Sequence, residues 1–75
     1  MKRVRITGLG PLVDRATPFR ARSEPTYIIQ QDDGWHTIIA GNDLGSGDLI
    51  PMIESAVNRL VSGGWCEVKI EEEEI

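Results

Sequence analysis

Apolar and polar residues alternate through the start of the chain. Val4 and Ile6 point one way and Arg3, Arg5 and Thr7 the other, the period of a strand with one buried face. The segment WCEVKIEEEEI at the far end repeats the pattern. Cys66, Val68 and Ile70 fall on one face and Glu67, Lys69 and Glu71 on the other, which predicts a second half-buried strand with Cys66 inside as a small hydrophobe. Were the two strands neighbours, Arg3 and Arg5 would lie across from Glu67 and Glu71, and each cross-strand ion pair would add about 0.2–1 kcal/mol.

Between them, TYIIQQDDGWHTIIAG (residues 26–41) places isoleucine pairs on both sides of Asp33-Gly34. That dipeptide favours a two-residue hairpin turn of type I′, which sets Ile29 opposite Ile38 and Ile28 opposite Ile39. Tyr27 and His36 then share a face with the first pair, and Trp35 and Thr37 with the second. A three-residue turn with a bulge would shift the partners and still leave isoleucine on both faces.

In GDLIPMIESAVNRLVSGG, apolar residues at 49, 52, 53, 56, 57, 60 and 61 make one helical stripe. Asp48 is placed to cap it, Pro51 falls in the first turn where its missing N–H costs nothing, and Gly63 and Gly64 supply a stop. Residues 8–25, GLGPLVDRATPFRARSEP, are broken by glycine and proline and predict a long irregular basic loop, with FRAR (19–22) a candidate edge strand. The order is strand, loop, strand, strand, helix, strand. It implies an α+β domain of two layers, one amphipathic helix on a mainly antiparallel four-stranded sheet.

A helix covers only one face of that sheet. Whichever face of the hairpin turns outward would still carry isoleucine, with Trp35 on one of the two faces. Either the loop folds over it with Leu9, Leu12, Val13 and Phe19, or a second copy or another protein does.

Length sharpens the point. At 75 residues the chain is one domain, and such a chain buries only ~60% of its unfolded surface. Disulfides cannot help, since Cys66 is the only cysteine, so self-association is a natural stabiliser. No apolar run approaches a membrane span, and MKRVRITGLG lacks the unbroken apolar block of a signal peptide. A soluble cytoplasmic protein is the expectation.

Charge is split along the chain. Residues 1–22 carry Lys2, Arg3, Arg5, Arg15, Arg20 and Arg22 against Asp14 alone, a balance of +5; residues 23–75 carry Arg59 and Lys69 against eleven acids, a balance of −9. Pairing between the two ends accounts for this as well as a bipolar surface does. The run Glu71–Glu74 reads as a solvated, frayed acidic tail over 71–75.

Catalytic furniture is sparse. His36 beside the turn has no visible partner to orient it, and Cys66, in phase with Val68 and Ile70, lacks the exposure and basic neighbourhood that activate a thiol. Asp32, Asp33 and His36 match no metal-ligand spacing. GNDLGSGD (41–48) is a glycine-rich entry to a helix, but it fits neither phosphate-loop pattern, and Asp43 and Asp48 would repel an anion. No catalytic residue, metal or cofactor is assigned. RATPFRAR (15–22) surrounds one aromatic with arginines, a thin version of a single-strand nucleic-acid grip.

In its size, acidic balance and lack of catalytic residues the chain resembles the small inhibitor and accessory proteins that phages carry, anti-CRISPR proteins among them. The resemblance is one of type and is carried by no shared motif. It implies a non-enzymatic protein that binds a surface of a larger protein, with a homodimer as a further option. Arg15, Phe19, Arg20, Arg22, Tyr27 and Trp35 are the candidate contacts, since interface hot spots favour Trp, Tyr and Arg. On that view Trp35→Ala or Arg20→Glu abolishes partner binding and leaves the fold intact. The alternative is a small RNA or single-stranded DNA binder using residues 15–22.

Overall fold

The computed structural model describes residues 1–12, 26–39 and 43–75. Five strands and one helix follow in the order β1 (Lys2–Leu12), β2 (Thr26–Gln31), β3 (Trp35–Thr37), β4 (Ser46–Gly47), α1 (Leu49–Ser62) and β5 (Trp65–Glu74). They form one antiparallel sheet of spatial order β4-β3-β2-β1-β5 with α1 packed on one face, an α+β fold. The strand beyond the expected four is β4, whose Gly47 and Ser46 pair with Trp35 and His36.

The core lies between α1 and the two central strands. Val4 and Ile6 of β1, Tyr27 and Ile29 of β2, and Met52, Ala56 and Leu60 of α1 are buried together. The helical stripe packs as its spacing predicts, with Leu49, Ile53 and Val57 partly buried beside it, except at Val61, which is exposed. Asp48 occupies the N-cap position with extended backbone but makes no side-chain cap bond, and its carbonyl accepts the Met52 N–H at 3.2 Å. At the other end the Gly63 N–H donates to Arg59 and Leu60, and the left-handed residue is Gly64, at φ +102°.

The terminal strands are neighbours, as the alternation implies, but in a different register. Lys2 faces Glu74, Arg3 faces Glu73 and Arg5 faces Glu71, while Glu67 lies across from Leu9. The acidic run is thus not a frayed tail. Glu71–Glu74 are paired strand to their end, and the Ile75 N–H donates to the Met1 carbonyl at 3.0 Å.

Nor does the loop begin at residue 8. β1 continues through Gly8, Gly10 and Pro11 to Leu12, with a bulge between Leu9 and Leu12 against β5. A bulge is where a strand tolerates proline, since a ladder N–H is not required there. Gly8 is there for proximity: a Cβ on it would lie 2.8 Å from the Trp65 ring and 3.2 Å from Leu60. Residues 13–25, including the candidate edge strand at 19–22, lie outside the described residues.

The hairpin turn is three residues long, Asp32-Asp33-Gly34, with Gly34 at φ +113° where only glycine is unstrained. Ile29 faces Thr37, not Ile38, and Gln30 faces His36. That slip by one residue turns all of β3 over. Trp35 joins Tyr27 on the helix side and packs against the core, and His36 turns outward.

Candidate functional site

On the side away from α1, the strands present Arg3, Arg5, Thr7 and Leu9 from β1, Thr26, Ile28 and Gln30 from β2, His36 from β3, and Glu67, Lys69, Glu71 and Glu73 from β5. This follows from the registers and from the burial of their alternate neighbours. The strands' period of two forces these side chains to share a face once Val4, Ile6, Tyr27 and Ile29 are committed to the core.

A groove of about 560 Å³ crosses this face. Among the described residues, Leu9, Ile28 and Ile39 give it an apolar floor, and Arg5, Lys69, Glu71, Thr7 and Thr26 form its rim. Leu9 is 38% exposed, and Ile38, which follows β3, is 41% exposed.

The rim charges hold one another in place. Arg5 donates to Glu73 Oε1 at 3.3 Å, and the Lys69 ammonium lies 3.6 Å from Glu71 Oε2. The Arg3 guanidinium donates twice to Gln30 Oε1, at 2.9 and 3.2 Å, and so fixes the amide of the neighbouring strand. The N-terminal ammonium pairs with Glu74 at 3.3 Å. These are exposed, solvent-screened pairs, each worth ~0–1 kcal/mol. They matter more for shape, because they leave a rim of both signs around an isoleucine floor. A polyanion laid across this face would meet Glu71 and Glu73 beside cations that already have partners.

The six residues picked from sequence as partner contacts are not brought together. Arg15, Phe19, Arg20 and Arg22 lie outside the described residues. Tyr27 is 5% exposed and belongs to the core, so its ring has no surface to offer a partner. Trp35 is half-buried on the helix side, packed against the same core. Truncating it removes packing, so Trp35→Ala is no clean probe of binding. The groove residues Leu9, Ile28, Ile39 and Lys69 were the ones the sequence reading missed. Their signal was present as Ile28 and Ile39, which the two-residue register set opposite each other, but that register put Trp35 on their face, and the observed one turns Trp35 to the core side.

Of the groups weighed for chemistry, His36 is half-buried on the outer face across from Gln30. Cys66 is exposed, contrary to its expected burial, on a strand that ends the sheet order among the described residues. Among the described residues no group of three His, Cys, Asp or Glu side chains converges as a metal site would require. Asp43 bonds its own loop, accepting the Gly45 N–H at 2.7 Å, which holds the entry to β4. No described helix is long and apolar enough to cross a membrane.

No protein-family model matches the chain, and neither a curated protein nor a solved structure does.

Proposed function

We propose that this is a small non-enzymatic interaction protein of the cytoplasm, acting by occupying a surface of a larger protein, in the manner of the phage inhibitors it resembles in size and charge. The observation that carries this reading is the outer groove. An apolar floor of Leu9, Ile28 and Ile39 inside a rim of Arg5, Lys69 and Glu71 suits a partner's side chains. Interfaces are built this way, with a desolvated apolar centre and a polar rim that fixes orientation. Rim charges of both signs favour a partner surface that is itself mixed, and opposed signs discriminate against wrong partners.

The experiment compares the wild-type chain with Ile28→Asp and with Glu54→Lys, the last on the exposed face of α1. Each is used to capture partners from a lysate of the native cell, and the captured protein is then purified and its affinity measured directly. The proposal expects saturable binding by the wild type and by Glu54→Lys, and a loss of at least about tenfold for Ile28→Asp, the scale of one hot-spot residue. Thermal melts of all three confirm that they are folded. Equal affinity of Ile28→Asp and wild type would refute the groove as the docking surface. Saturable binding of RNA or single-stranded DNA in place of a protein would refute the class of partner.

A further inference from the structure

The outer groove also constrains what can sit in it. Among the described residues its floor is a strip along β1 and β2. Thr7 faces Thr26 across the two strands; Leu9 lies two residues beyond Thr7 at one end, and Ile28 two residues beyond Thr26 at the other, opposite Arg5. All share the outer face, so Leu9 and Ile28 bracket the threonine pair. Four strand positions separate them, ~13 Å along the sheet. Ile39 widens the strip at the Ile28 end, where the Ile38 N–H donates to the Ile28 carbonyl at 3.0 Å. One row further on, the face turns polar with Gln30, Arg3 and Glu73.

An extended segment, the face of another sheet and a helix are the candidate occupants. The strands' own N–H and C=O groups are engaged in the ladder, in the plane of the sheet, so the face offers a partner side chains only. An extended segment laid on it would press its polar backbone against an apolar floor with no ladder to receive it. A second sheet needs an apolar face several strands wide, and would bury Arg3, Gln30 and Glu73. A helix meets neither objection, because its backbone bonds within itself and it presents one narrow apolar stripe. Eight residues of helix rise ~12 Å, so stripe residues at i, i+4 and i+8 match the strip from Leu9 across the threonine methyls to Ile28.

Charge marks one flank. On the β5 side of the strip Lys69 faces Thr7 and Glu71 faces Arg5, and both side chains are about half exposed. They stand two strand residues apart, ~6.6 Å, close to the ~6 Å rise from i to i+4 on a helix. A partner acid above Lys69 and a partner base above Glu71 would continue the alternation of sign along the rim. Resting on the groove as the docking surface, we propose that the partner seats an amphipathic helix in it. That helix lies along β1 and β2, with apolar side chains at i, i+4 and i+8 and an acid and a base four residues apart on the flank above β5.

The test measures spacing in the partner. One chain carries a photo-crosslinking amino acid at Leu9 and a second carries it at Ile28, and thermal melts show that both are folded. Each is irradiated in the native cell, and the partner residue joined to it is located by mass spectrometry. The two partner residues are expected seven or eight apart in one segment, whose sequence holds the acid and base of the flank. Residues about four apart, the spacing of an extended segment over the same ~13 Å, would overturn the helix. So would residues from separate segments, or a segment without that acid and base. In each of those cases a partner still occupies the groove, and the docking surface stands. No partner adduct from either position would refute the groove itself, and the helix with it.

Discussion

Gly8 and Gly34 look alike in the sequence, each a break in an apolar pattern, but they are required for different reasons. At Gly8 a Cβ would strike the Trp65 ring at 2.8 Å, while at Gly34 it would meet nothing within 4 Å, and the constraint is φ +113° alone. Gly8→Ala is therefore expected to cost on the order of 1–3 kcal/mol by overpacking. Gly34→Ala should cost about 1–3 kcal/mol through the backbone. A double-mutant cycle separates the causes: in a Trp65→Leu background the Gly8→Ala cost shrinks and the Gly34→Ala cost does not. Equal costs in both backgrounds would contradict the contact. Trp35 makes a third case at this scale. Because it is half-buried against the core cluster, Trp35→Ala should lower stability by about 2–3 kcal/mol in urea titrations, less than the ~3–5 kcal/mol of a fully buried tryptophan. An unchanged midpoint would place the indole outside the core.

At the scale of elements, α1 was legible because spacing, first-turn proline and terminal glycines agree independently on one segment. The hairpin was legible in existence but not in register. Asp33-Gly34 can be the centre of a two-residue turn or the close of a three-residue one, and local sequence does not choose. The core chooses, since only the slipped register turns the Trp35 indole toward α1 and His36 toward water. β4 was not legible at all, because serine and glycine carry no strand signal and its pairing with β3 is wholly tertiary. The end of β5 was misread for a related reason. Four glutamates disfavour a strand locally, yet Lys2, Arg3 and Arg5 stand opposite Glu74, Glu73 and Glu71 in the neighbouring strand, and Val4 stands opposite Glu72. The charge split along the chain was the visible trace of this pairing. It predicts that Arg5→Glu destabilises the fold by about 1 kcal/mol at low ionic strength. The deficit should shrink as salt is added, since these pairs are exposed and screened. A deficit independent of salt would mean that Arg5 contributes through its aliphatic packing on Ile28 instead.

On the scale of the whole molecule, the described residues place one helix on a five-stranded sheet, and a helix covers one face of a sheet. The helix hides Val4, Ile6, Tyr27 and Ile29 of the inner face. The outer face is made tolerable to water by paired charges, apart from the groove floored by Leu9, Ile28 and Ile39. The question of what covers both faces of the hairpin, raised by its isoleucine pairs, thus narrows to that groove. That groove is where we propose that a larger protein docks. The most direct measurement places a photo-crosslinking amino acid at Leu9, at Ile38 or, as a control, at Glu54 on the exposed face of α1, and irradiates each chain in its native cell. Adducts heavier than two chains, formed from positions 9 and 38 and not from 54, are the predicted result. Adducts from position 54 alone, or none from the outer face, would contradict it.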